Sequence, residues 1–206
     1  EHLRLLSTIA SQVADAMERY RLHNESLQSL ALHRRLMEIT TAINASTDLS
    51  KVLRLVRDTV VESCGFDRAG VFLYDAERGI MRGTWGTDRF GNAEDIHDQS
   101  NPVSEEDRHN WGLGILDGAD YVLLNEYEDV YEIDSDDPMK GVHSHCMVHL
   151  RVNRETVGFI GVDNLITGRA ITDAEVSELL PFAAQAAAAI QKAKLLGEME
   201  RIVNQQ

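Results

Sequence analysis

Between residues 1 and 64 apolar side chains recur every three or four positions, with neither Pro nor Gly among them. Leu6, Ile9, Val13, Met17 and Tyr20 follow this spacing and predict a helix. A second stripe, Leu32, Leu36, Ile39 and Ile43, steps by 4, 3 and 4, the a/d spacing of a coiled-coil seam. Glu25, Ser26 and Ser29 break the phase between the two. Ser46, Thr47 and Asp48 then offer N-caps to a further helix carrying Leu49, Val52, Leu53, Val56 and Val60, closed by Gly65.

After Gly65 the period changes from helical to extended. Ala69–Tyr74 and Ile80–Trp85 read as strands joined by Asp75–Gly79. Residues 86–101 are polar. Ser104-Glu-Glu-Asp107 has the form of a helix start with acidic residues at the positive end of the dipole, and that helix carries Trp111, Leu113 and Leu116 towards Gly118. Tyr121–Leu124 is strand-like, and Glu126–Asp137 holds seven acidic residues in twelve, the mark of an exposed loop. Val142–Val152 and Glu155–Asp163 form the clearest hairpin, turning at Asn153-Arg154. The last helix starts at Thr172 or Asp173 and runs through Leu179, Ala183, Ala187 and Ile190 into Glu198.

One stretch repeats. Ile9-Ala-Ser-Gln-Val-Ala-Asp-Ala-Met17 lies over Phe182-Ala-Ala-Gln-Ala-Ala-Ala-Ala-Ile190 at an offset of 173, and Leu22 and Glu25 continue onto Leu195 and Glu198. The chain is therefore expected to open with the closing helix of a preceding domain and to end with its own. Starting at Glu1 in mid-helix, without a signal peptide, it reads as a piece of a longer protein.

Charge narrows the partners. With 20 Lys+Arg against 34 Asp+Glu the net charge is −14, which disfavours nucleic acid and anionic membrane surfaces. Apolar residues at 43% are ordinary for a globular chain. No apolar run approaches the roughly 20 residues of a membrane span, Phe182–Ile190 coming nearest. The two cysteines, Cys64 and Cys146, are no disulfide framework, and a cytoplasmic location is expected.

The segments Ala69-Gly-Val-Phe-Leu-Tyr-Asp75, Ser144-His-Cys-Met-Val-His-Leu150, Val157-Gly-Phe-Ile-Gly-Val-Asp-Asn164 and Ile171-Thr-Asp-Ala-Glu175, with Leu179-Leu-Pro-Phe-Ala-Ala-Gln185, stand in an order that resembles a GAF domain. That family comprises small-molecule-binding sensory modules related to PAS domains. The resemblance implies an α+β fold: a central antiparallel sheet of about six strands, helices on one face, and loops closing a ligand pocket on the other, with long N- and C-terminal helices. It divides the chain into a signalling helix at 1–34, the domain at 35–195, and the start of a C-terminal linker helix at 196–206. It further implies a homodimer formed through the flanking helices, and an output domain such as a histidine kinase or a nucleotide cyclase in a two-component or similar signalling protein.

By alternation along the strand, His143, His145, Met147 and His149 share one face, and Cys146, Val148 and Leu150 the other. The imidazoles allow three readings: ligands to a metal or haem iron, polar lining for an organic ligand, or ordinary strand histidines. At 149 the family more often has Pro. Trp85 and Trp111 are candidates to stack on a planar ligand. In bilin-binding members a cysteine on a loop or helix holds the chromophore; Cys146 faces the apolar side of a strand, so covalent bilin is not expected. Cyclic-nucleotide-binding members have a Lys where Leu165 follows Asn164, so their ion pair is missing here. The two cysteines form no catalytic set of the kind used by free-methionine sulfoxide reductases, which share the fold, and no nucleophile, phosphate-loop or zinc motif occurs.

The expectation is a non-catalytic sensor domain whose pocket guesses are Trp85, Trp111, His143, His145, Met147 and His149, and whose dimer seam is Leu32, Leu36, Ile39 and Ile43. Its ligand is unidentified. The alternative is a structural dimerisation module with no ligand.

Overall fold

The structure, a computed structural model, describes residues 2–103, 118–131 and 133–204; side chains before residue 11, at several positions in 25–39 and at 129–130 lie outside the description. The chain divides into two compact units, residues 1–38 and 39–206.

Helix α1 spans His2–Ala45. Within the first unit Val13, Met17 and Tyr20 are exposed. Ile43, assigned by its spacing to a seam between chains, is 1% exposed and belongs to the core of the second unit, where a second chain cannot reach it. The side chains of Leu32, Leu36 and Ile39 are outside the described residues.

Helix α2, Leu49–Cys64, starts where predicted: the Asp48 carboxylate accepts from the Lys51 amide at 3.2 Å, and Gly65 closes it in the left-handed region at φ 78°. The apolar stripe Val52, Leu53, Val56 and Val60 is buried. Strands β1 (Arg68–Asp75) and β2 (Ile80–Gly83) form the first hairpin. The predicted second strand ran on to Trp85, but it breaks after Gly83. A Cβ at Gly83 would lie 2.3 Å from the Ile96 carbonyl oxygen, so only Gly admits the crossing of the 96–99 segment there. Trp85 therefore opens a separate strand, β3 (Trp85–Thr87), which pairs with β4 (Ala93–Asp95). Strand β5 (Ser100–Pro102) edges the main sheet beside β2, and β6 is Tyr121–Leu124. The predicted helix around Trp111 lies outside the described residues. The acidic segment is not all loop, since Tyr127–Val130 forms a short helix, α3.

Strands β7 (His145–Val152) and β8 (Glu155–Asp163) turn through Asn153 and Arg154, both at positive φ (51° and 73°), the two-residue turn that suits a twisted hairpin. The predicted strand began at Val142; β7 begins at His145. Helix α4, Asp173–Asn204, opens on a capping box: the Thr172 amide donates to Glu175 at 2.9 Å and the Glu175 amide to the Thr172 hydroxyl at 3.3 Å.

The main sheet has six antiparallel strands in the order β5-β2-β1-β8-β7-β6. Helices α2 and α4 pack together against β1, β7 and β8. Val71, Cys146, Val148, Leu150, Ile160 and Val162 alternate towards them and are buried, as are Val176, Leu179, Phe182, Ala183, Ala186, Ala187, Ala189, Ile190 and Ala193 of α4. The other face of the sheet holds a smaller cluster, Met81, Met147 and Phe159, bordered by Phe72, Val122 and Leu124.

Candidate functional site

Strand register sets three rows of side chains across β1, β8 and β7 on the face away from α2 and α4. Arg68, Asp163 and His145 are cross-strand partners in the first row, Gly70, Gly161 and Met147 in the second, and Phe72, Phe159 and His149 in the third. A polar row and an aromatic row are thus separated by two positions without side chains. Over them lies a cavity of about 550 Å³. Its outer walls are Ile96 and the β5 segment on one side and Tyr127 with Asp137–Met139 on the other.

The two glycines let neighbouring rings lie over the strands. A Cβ at Gly70 would meet the Phe72 ring at 2.9 Å, and one at Gly161 would meet His145 Nε2 at 3.2 Å and the Phe159 ring at 3.4 Å. Phe72 and Phe159 stack with centroids 4.6 Å apart and planes 3° from parallel, giving the cavity a flat apolar wall.

The polar row is buried. Arg68 grips Asp163 through Nε and Nη2, at 2.9 and 2.7 Å, and donates Nη1 to the Pro138 carbonyl at 3.0 Å. One guanidinium thus ties the 137–139 segment to the sheet. Arg89 adds a second donor to the same carbonyl at 3.2 Å. Asp163 also accepts from the Leu165 amide at 3.0 Å. Lys140 and the Gly141 amide both engage Glu128, which fixes the far end of this segment to α3.

His145 is 8% exposed, and its Nδ1 is buried without a hydrogen-bond partner. The Tyr127 ring stands against it edge-on at 5.1 Å. Burial drives its pKa down to about 4, opposed by Asp163 and aided by Arg68, so the imidazole is neutral at pH 7. Burial also raises the Tyr127 phenol above its ordinary range, so it stays protonated.

The other predicted site residues fall elsewhere. His149 shares the face of His145 but is fully engaged: Nδ1 donates to the Ala119 carbonyl at 3.1 Å, and Nε2 accepts from the Thr156 hydroxyl at 3.0 Å. His143 precedes β7 and is exposed. Met147 packs under the aromatic row. Trp85 is held by α2, its indole donating to Ser50 at 3.3 Å with Arg54 5.1 Å above the ring and His97 at its edge. Trp111 lies outside the described residues. Arg68, Asp163, Tyr127 and the Phe72–Phe159 pair were not singled out from the sequence. They come together only through strand register, and the one local signal was a charge at each end of an otherwise apolar strand.

Neither thiol is set up as a nucleophile. Burial pushes Cys64 up to about 11 and Cys146 up to about 12, so both stay protonated at neutral pH. Among the described residues no group of three His, Cys, Asp or Glu is placed to hold a metal ion, and no helix is long and apolar enough to cross a membrane.

No protein-family model and no curated protein matches the chain. Solved structures do. The GAF domain of an Acinetobacter phosphoenolpyruvate-protein phosphotransferase superposes with a TM-score of 0.64 at 21% identity, over 82% of this chain and 98% of that one. Residues 122 to 287 of a methyl-accepting chemotaxis protein give 0.59 at 21% identity, over 77% and 98%. Free methionine-R-sulfoxide reductase from Neisseria meningitidis, in complex with its substrate, gives 0.57 at 13% identity, over 78% and 89%. At these identities the likeness is one of fold.

Proposed function

We propose that this chain, which has the fold of a GAF domain, is a non-catalytic sensory domain that binds a small organic molecule between its sheet and the loops over it. The observation that carries this reading is the cavity over Gly70 and Gly161, walled by stacked aromatics and closed at one end by a buried polar row in which His145 Nδ1 has no partner. Leaving that atom unpaired costs about 1–3 kcal/mol, and it belongs to an imidazole that borders the cavity. The two protonated thiols argue against a cysteine nucleophile and favour binding over thiol-based turnover.

The output runs through the terminal helices. α4 is seated on the sheet and α1 enters the domain at Ile43, so a ligand that favours one arrangement of cavity and helices shifts their populations by its difference in affinity. In this reading residues 1–34 are a signalling helix, 35–195 the sensor and 196–206 the start of a linker, in a cytoplasmic homodimer joined through its helices and feeding an output domain such as a histidine kinase or nucleotide cyclase. The chemotaxis protein among the fold neighbours supports a signalling context. The exposed apolar side chains Val13, Met17 and Tyr20 support association through α1, and they are equally what a structural dimerisation module without ligand would show.

Native mass spectrometry of the purified chain separates the two readings. The sensor reading expects a dimer with extra mass that leaves on denaturation; a dimer that stays bare after incubation with a metabolite extract favours the dimerisation module.

A further inference from the structure

We propose that the cavity selects a small flat ring compound that is neutral or cationic, held at its polar edge by His145, and that it discriminates against anionic ring compounds. This deepens the reading of the cavity as a ligand site and rests on it.

The cavity has one cation among the described residues that line it, Arg68, against three carboxylates, Asp163, Glu94 and Asp137. Arg68 is not available to meet an anion. Its Nε and Nη2 are committed to Asp163, and its Nη1 to the Pro138 carbonyl. The buried pair is neutral as a unit, which leaves Asp137, whose Oδ1 accepts from the Met139 amide at 2.7 Å, and the exposed Glu94 as the remaining charges on the lining, with no lysine or second arginine among the described lining residues. A concave site lined by one sign of charge and walled by low-dielectric side chains focuses that field on whatever enters. An anionic ligand would meet repulsion and find the lining guanidinium already paired, with Arg89 outside the lining and its Nη1 on the Pro138 carbonyl; a neutral or cationic one meets neither penalty.

His145 supplies the specific contact. Its ring is more than nine-tenths buried, borders the cavity with Nε2 over Gly161, stays neutral, and presents one donor and one acceptor nitrogen; Nδ1 is sealed off without a partner, so the contact to a ligand falls to Nε2. An amide, amidine or ring nitrogen at the ligand's edge completes it. The flat shape follows from the second and third rows: with no side chains at 70 and 161 the rings of Phe72, Phe159 and His145 lie down over the strands, and the parallel pair Phe72–Phe159 gives the cavity a flat wall on which a planar ring stacks. The volume of about 550 Å³ suits a compound of one to three rings.

Benzamidine, benzamide and benzoate carry the same ring with a positive, neutral and negative head, and they test the inference on the intact chain. Each is titrated at neutral pH into isotopically labelled protein, following the amides of Gly70 and Gly161 and the His145 ring nitrogens. Benzamidine and benzamide are expected to shift these signals, benzoate to bind at least about tenfold more weakly than benzamidine. E94Q, a change at an exposed position, should shrink the benzamidine-to-benzoate ratio, and H145Q should weaken benzamide without changing the fold seen in the remaining amides. Benzoate binding as tightly as the other two, at the same signals, overturns the charge selection and leaves the ligand site standing. No response at these signals from any of the three overturns both.

Discussion

Residues 9–17 of α1 and 182–190 of α4 carry the same pattern 173 residues apart and meet opposite surroundings. Ala186, Ile190 and Ala193 of α4 are 1%, 0% and 1% exposed against the sheet, whereas their counterparts Val13, Met17 and Tyr20 of α1 are 52%, 69% and 70% exposed. The correspondence extends to Ala14 and Ala16, opposite the buried Ala187 and Ala189. Small residues on a helix let it sit close on a sheet, and α4 shows that use. The same run of small and apolar side chains on α1 has no sheet among residues 1–38 to sit on. Residues 9–17 of α1 thus carry the pattern that α4 buries on its sheet, on a face that is exposed among the described residues. The polar and apolar positions specify a docking face; what covers it is decided elsewhere in the chain or in another chain.

The contrast breaks most sharply under a charge. Ile190→Asp places a carboxylate with no partner against the sheet and should cost at least about 4 kcal/mol, enough to unfold the domain. Met17→Asp, at the matching place, should leave the stability of the sheet unit within about 0.5 kcal/mol of the parent. Urea denaturation followed by tryptophan fluorescence, to which Trp85 on α2 contributes, reads both. Equal losses would mean that α1 is as deeply committed to this domain as α4 is.

Acid sharpens it next, because the sheet unit buries a neutral imidazole. His145 has a folded pKa of about 4 against an ordinary 6.5. Above pH 6.5 both folded and unfolded chains hold it neutral, and its full contribution is present. As pH falls from 6.5 towards 4 the unfolded chain takes up a proton that the folded one refuses, so stability drops by about 3 kcal/mol and then levels. The charged groups facing it, Asp163 and Arg68, neutralise each other, and Tyr127 stays protonated. His145→Gln should flatten that part of the profile relative to the parent protein. Parallel profiles for the two proteins would show that some other group carries the acid response.

The order of elements was legible because each rests on local chemistry: Asp48 and Gly65 bound α2, Asn153-Arg154 turns the main hairpin, and Thr172 with Glu175 starts α4. The site was only half legible. Alternation put His145 and Met147 on the cavity side, but it gave His149 the same standing, and only the structure shows that Ala119 and Thr156 already occupy both of its nitrogens. His143 falls before the strand boundary and Trp85 beyond the crossing at Gly83, and neither is among the residues lining the cavity. Arg68 and Asp163 are 95 residues apart and meet because β1 and β8 pair in one register, which no window along the chain can see.

The smallest of the expected effects bears on what α1 does when nothing covers it. Val13, Met17 and Tyr20 step by 4 and 3, as Leu195, Met199 and Ile202 do at the other end, and all six are exposed. If these stripes pair two copies of the chain, Met17→Asp with Tyr20→Asp removes two large apolar contacts from each helix and sets like charges side by side. Dimerisation should weaken by at least about a hundredfold, the loss expected when apolar burial worth about 3 kcal/mol is withdrawn. The parallel change Leu36→Asp with Ile39→Asp tests the seam read from the second stripe, which Ile43 has left for the core. Sedimentation across a range of concentrations decides between them. Monomer from the first pair alone places the contact on the face that α4 buries in its own domain, and α1 then pairs chains through a surface shaped for a sheet. Monomer from the second pair alone confines it to the short run before Ile43, and the exposed face of α1 is then left for the sheet of another domain.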